Sequence, residues 1–112
     1  MTSQKLVRDA VKIAESKKAK DILLLNLKEI STIADYFIIC SGESSLHMRS
    51  IAQAIEKELK KKGIKQFNPG NLTNDCWVLL DFGSIIVHIF SKRGRNFYQL
   101  ERLWADAKKI IK

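Results

Sequence analysis

Proline occurs once in this 112-residue chain, at Pro69, glycine five times and cysteine twice. With so few breakers, and with 46% hydrophobic and 29% charged residues, the sequence is not that of a disordered or low-complexity chain. It is expected to form one soluble globular domain over residues 1–112, long enough to bury a core without metal or disulfide support. No apolar run approaches the roughly 20 residues that span a bilayer, and Met1-Thr2-Ser3-Gln4-Lys5 lacks the apolar segment of a signal peptide. A cytoplasmic location is the expectation. Cys40 and Cys76 sit in separate strand-like runs with no CxxC spacing, which suits buried free thiols in a reducing compartment.

The residues of catalysis are equally sparse. His47 falls at the start of a helical pattern and His88 in a strand pattern, so no metal-ligand spacing recurs. There is no GxSxG nucleophile elbow. No catalytic, metal or cofactor-binding residue is therefore assigned.

Positive charge is in excess, +8 from 20 basic and 12 acidic residues. Such a chain is drawn to polyanions, nucleic acid or a ribonucleoprotein first among them. The basic clusters are scattered, however: Lys17-Lys18 with Lys20, Lys60-Lys61-Lys62, Lys92-Arg93 with Arg95, and Lys108-Lys109. Three of the four fall near a helix end or the chain terminus, where positive charge also suits a helix C-terminus.

Hydrophobic periodicity divides the chain. Leu6, Val7, Ala10, Ile13 and Ala14 form one helical stripe, and Met48, Ile51, Ala52, Ile55 and Leu59 form a second. The second is preceded by the cap candidates Ser44 and Ser45 and closed by Lys60-Lys61-Lys62-Gly63. Asp21 to Leu27 and Tyr36 to Cys40 read as short buried strands joined by a connection over Lys28 to Asp35. Ile64 to Phe67 is a candidate edge strand, followed by a turn and loop at Asn68-Pro69-Gly70-Asn71. Near the end, Asn96-Phe97-Tyr98-Gln99 resembles a capping box for a third helix whose stripe is Leu100, Leu103, Trp104, Ala107 and Ile111. Tyr98 and Trp104 are read as core or core-rim residues of that helix. The order α-β-β-α-(β)-β-β-α predicts an α+β sandwich, a mixed sheet of four to five strands with helices packed mainly on one face.

The stretch from Trp77 to Phe90 carries the most information. Two β-rich runs flank Gly83-Ser84, a hairpin-turn signal. With the turn there, Phe82 faces Ile85, Leu80 faces Val87 and Val78 faces Ile89, a wholly apolar face that meets the helices. Alternation then puts Trp77, Leu79 and Asp81 opposite Phe90, His88 and Ile86 on the other face. Large apolar groups with one carboxylate and one imidazole suit the centre of an interface, while a sheet half covered by a helix would show much the same pattern. An aromatic and aliphatic face left open calls for a partner, a covering segment or another subunit, as in a homodimer of the free protein.

Three segments carry a family resemblance: Ala34-Asp35-Tyr36-Phe37-Ile38-Ile39-Cys40-Ser41-Gly42 running into Ser44-Ser45, Trp77 to Gly83 with Val87-His88-Ile89-Phe90, and Phe97 to Trp104. In this order and spacing they resemble the ribosomal silencing factor, or Iojap-like, family over about Val7 to Ala107. The resemblance implies a small α/β protein without enzymatic activity. It implies binding to the large ribosomal subunit through its fourteenth ribosomal protein, a block to small-subunit joining, and lower translation when nutrients are scarce. It puts the contact surface on the sheet, with the family's tryptophan at Trp77 and neighbouring positions at Leu79, Asp81, His88 and Phe90. This is the face that alternation picks out. The basic charge departs from many family members and would add contacts to ribosomal RNA. A large-subunit assembly factor using the same surface and a free-standing basic RNA-binding module are the alternatives.

A fold of this kind also resembles nucleotidyltransferases, which pair a turn such as Ser41-Gly42-Glu43-Ser44-Ser45 with two strand carboxylates that hold magnesium. Here Asp81 stands alone, with Leu79 where the paired acid would sit, so the active site of such an enzyme is missing.

Overall fold

A computed structural model describes residues 3–28, 34–67, 72–74, 77–98 and 108–111. The elements are α1 (Ser3–Ser16), β1 (Lys20–Asn26), β2 (Tyr36–Gly42), α2 (Ser45–Lys61), β3 (Leu72–Asn74), β4 (Trp77–Asp81), β5 (Ile85–Ser91), α3 (Lys92–Tyr98) and β6 (Lys108–Ile111).

Both long helices form where an apolar stripe is punctuated at its ends. In α2, Ser44 lies in extended conformation and its Oγ accepts the N–H of His47 at 3.0 Å, which settles the cap between the two candidate serines. The buried residues are Met48, Ile51, Ala52, Ile55 and Leu59, the stripe read from the sequence. Each large member contributes about 2 kcal/mol of transfer free energy. Gly63 takes φ +81 and closes the helix with paired bonds, Gly63 N–H to the Lys60 carbonyl and Ile64 N–H to the Leu59 carbonyl, both 2.9 Å. α1 ends in the same way without a glycine. Lys18 sits at φ 62, its N–H meets the Glu15 carbonyl at 2.9 Å, and the Ala19 N–H meets the Ala14 carbonyl at 3.0 Å.

Six strands among the described residues form one mixed sheet in the order β3-β4-β5-β2-β1-β6, one or two more than expected. The central pair β2 and β5 is parallel, and the other pairings are antiparallel. Every residue of β2 is buried, as befits a central strand closed on both faces. One face, with Leu24, Ile38, Leu80, Val87 and Ile89, packs on α1 and α2 in the main core. Where β2 passes into α2 the contact is close: a Cβ on Gly42 would lie 2.7 Å from Met48 Cγ and 3.1 Å from its backbone nitrogen.

Three local expectations need correction. Ile64 to Phe67 is not a strand, because Ile64 is held at the end of α2 and packs against the core; the edge strand is Leu72–Asn74. α3 starts at Lys92, so Asn96 lies inside it and is no cap. The cap is Ser91, whose Oγ accepts the Gly94 N–H at 2.9 Å. Ile111 belongs to β6 and not to a helical stripe, for residues 108–111 pair with the free edge of β1, Ile111 opposite Leu23. An unpaired strand edge offers a row of backbone groups that such a segment can satisfy. Cys76, the Asn68 to Asn71 turn, and Leu100, Leu103, Trp104 and Ala107 lie outside the described residues, as does most of the Lys28 to Asp35 connection.

Candidate functional site

The hairpin register is the one that alternation requires. Trp77 pairs with Phe90, Val78 with Ile89, Leu79 with His88, Leu80 with Val87 and Asp81 with Ile86. Phe82 N–H reaches the Ile85 carbonyl at 2.9 Å across a two-residue loop whose first residue, Gly83, has φ +85. Positive φ at that position alone makes a type II′ turn, which matches the twist of the strands. Asp81 takes part in the turn, its Oδ1 accepting the Gly83 N–H at 2.8 Å. The Ser84 carbonyl then accepts the N–H groups of Asp35 and Tyr36, at 2.8 and 3.1 Å, and ties the hairpin tip to the start of β2.

On the face away from α1 and α2, the sheet carries a second apolar cluster of Leu25, Leu27, Ala34, Phe37, Ile39 and Phe90, with Leu23, Trp77 and Ile86 packed against it. Cover is partial and graded. Phe90 is fully buried and His88 is 5% exposed, whereas Trp77, Leu79, Asp81 and Ile86 are half-buried. Among the described residues, solvent reaches this face along the hairpin and at Leu23 of β1.

Four rings organise the face. Trp77 stacks on Phe90 at 5.4 Å and on His88 at 5.8 Å between centroids, and Phe37 meets His88 edge to face at 4.6 Å. The Trp77 Nε1–H donates to His88 Nδ1 at 3.3 Å. Burial pushes the His88 pKa down to about 4, so the imidazole is neutral near pH 7. Because Nδ1 accepts, the proton resides on Nε2, a buried nitrogen with no hydrogen-bond partner among the described residues. His88 thus orients the indole from below. The turn role of Asp81 was not read from the sequence, although an acid two residues before a hairpin glycine is its signal.

The turn at residues 41–45 is occupied by the protein itself. Ser44 Oγ is taken by the His47 N–H, and His47 Nδ1 accepts the Glu43 N–H at 2.9 Å while Nε2 meets the Lys17 carbonyl at 2.7 Å. Arg95 of α3 donates to Ser41 Oγ at 3.4 Å and to the Asp21 carbonyl, at a bulge where Asp21 has φ 49. Burial pushes the Cys40 thiol up to about 12, which keeps it protonated and inert. Among the described residues no cluster of His, Cys, Asp and Glu could hold a metal ion, and no helix is long and apolar enough to cross a membrane.

A mixed α+β layer with an aromatic sheet face defines the class, and comparison with known proteins supplies the family. The model of the family described as "Ribosomal silencing factor during starvation" matches residues 1–112, and the chain belongs to that family. It is 40% identical to the ribosomal silencing factor RsfS of Halalkalibacterium halodurans over 107 residues, 96% of this chain and 92% of the relative. It is 37% identical to that of Bacillus subtilis, over 96% of this chain and 91% of the relative. A crystal structure of a Chromobacterium violaceum protein superposes with a TM-score of 0.89 at 26% identity, covering 99% of this chain and 92% of that one. The Halalkalibacterium halodurans and Bacillus subtilis relatives are both named as ribosomal silencing factors.

Proposed function

We propose that this chain is a cytoplasmic ribosomal silencing factor that docks the hairpin edge of its sheet on the large ribosomal subunit, at the fourteenth ribosomal protein. A 12.8 kDa body seated there overlaps the volume that the small subunit must occupy, so joining is excluded sterically and translation falls. When nutrients are scarce this would conserve resources, and no chemical step is needed.

The observation that carries the reading is the half-buried indole of Trp77, held from beneath by His88 and Phe90 at the accessible rim of an apolar face. A rigid aromatic anchor loses little side-chain entropy on binding, which is why such residues dominate interface energetics. Trp77, Leu79 and Asp81 would touch the partner, while His88 and Phe90 would support them from below. In the free protein the same face would pair two copies as a homodimer.

The test is capture of the isolated fourteenth ribosomal protein by immobilised wild type and Trp77→Ala. Truncating a central anchor costs about 2 kcal/mol or more, roughly thirtyfold in affinity. Equal capture by both proteins would remove Trp77 from the interface.

A further inference from the structure

The helix side of the sheet carries a second surface, built on α2 and the segment that follows it. The run Lys60-Lys61-Lys62 is divided there. Lys62 turns toward α1, its Nζ 3.0 Å from Asp9 Oδ2 and 3.8 Å from Glu58 Oε2. Their hydrogen bond holds the Asp9 carboxyl below and the Lys62 ammonium above their ordinary values. Lys57, Lys60 and Lys61 have no ion pair among the described residues.

Lys57 stands between two depressions. A groove of about 460 Å³ between α1 and α2 brings Lys17, Lys57 and Lys61 together, with Glu58 as its acid. On the other side of Lys57, a cleft of about 620 Å³ is lined by Lys57, Lys60 and Lys65 over the apolar Ile64 and Phe82, with Glu56 as its acid. Five lysines therefore face two glutamates, one of which already lies beside Lys62. In the wall of the cleft the Gln66 Nε2 is buried with no acceptor among the described residues. Next along the chain Phe67 is 62% exposed, its ring near Gly83 and the Lys65 ammonium 5.5 Å from its centroid.

We propose that this surface binds single-stranded RNA. Phosphates would run along the lysines on either side of Lys57, and an unstacked base would lie on the exposed ring of Phe67. A basic track beside an exposed ring is what sequence-tolerant single-strand binding requires. A purely acidic peptide would use the lysines and leave the ring and the apolar floor idle. The lysines lie on the helix side, and Phe67 adjoins the hairpin turn, its N–H bonded to the Asp81 carbonyl at 2.7 Å; the proposal does not use the Trp77 indole, so either reading can fail without the other.

The probe is a fluorescein-labelled 12-nucleotide RNA of mixed sequence, titrated by anisotropy at several salt concentrations. Each lysine that neutralises a phosphate adds about 0.7 to the slope of log affinity against log salt for a single strand. The triple variant Lys57→Gln, Lys60→Gln, Lys61→Gln should therefore lower the slope by about 2. Phe67→Leu, which keeps an apolar side chain but removes the ring, should weaken binding about tenfold with the slope unchanged. Trp77→Ala should bind RNA like the wild type. The proposal is overturned by an unaltered slope in the lysine variant, by full affinity in Phe67→Leu, by loss of RNA binding in Trp77→Ala, or by equal displacement with a polyglutamate of the same charge.

Discussion

The indole of Trp77 donates its Nε1–H to Nδ1 of His88, the residue diagonal to it across the hairpin, at 3.3 Å. The bond links the accessible rim of the second face to its buried interior. Trp77→Phe keeps a ring over Phe90 but leaves the buried Nδ1 without its donor, and is expected to cost about 1–2 kcal/mol in urea unfolding. A loss below a few tenths would mean the hydrogen bond contributes nothing to holding the ring.

The same imidazole makes stability pH-dependent. In the unfolded chain it titrates near 6.5, and in the folded protein near 4. Between these values the unfolded state binds a proton that the native state does not, so stability falls as pH drops from 6.5 toward 4, by about 3 kcal/mol in all. Above pH 7 the group contributes no slope. His88→Leu should remove this component of the pH dependence, leaving only the carboxylates to titrate; an identical profile in variant and wild type would contradict the buried neutral state.

Asp81 serves the turn and offers a charge, and the two roles separate by substitution. Asp81→Asn retains an oxygen for the Gly83 N–H, so stability should change by less than about 0.5 kcal/mol. Asp81→Lys removes the acceptor as well and reverses the charge. On the docking account both weaken binding to the large subunit, and the difference between Asp81→Asn and wild type shrinks at high salt. Salt-independent binding that is equal in Asp81→Asn and wild type would leave Asp81 with the turn alone.

Lys18 occupies the left-handed position that ends α1, where a glycine stands at the end of α2. Lys18→Gly relieves a conformation that costs an L-residue about 1 kcal/mol, and should stabilise the protein by up to that amount in urea unfolding. A destabilised variant would show that the greater freedom of glycine in the unfolded chain outweighs the relief.

Much of this fold could be read from local chemistry. The α2 stripe, its serine cap and its glycine end were legible because each depends on residues within a turn or two. The hairpin register followed from Gly83-Ser84 and the two-residue alternation, and with it the two-faced character of β4 and β5. What escaped was tertiary in origin. Nothing local distinguishes Lys108 to Ile111 as a strand until the open edge of β1 is there to pair with, and Ile64 reads as β-prone until the end of α2 claims it. The site was legible as a face but not as a depth profile. Alternation treats Trp77 and Phe90 as equals, whereas β5 is interior and β4 is near the edge, so one ring is buried and the other half open.

Co-sedimentation with purified large subunits, in the presence and absence of small subunits, tests the docking account most directly when wild type and Trp77→Ala are compared. The account predicts stoichiometric binding by the wild type, fewer joined ribosomes as it is added, and loss of both effects in Trp77→Ala. Binding that persists in Trp77→Ala, or that leaves the joining of small subunits unchanged, would contradict it.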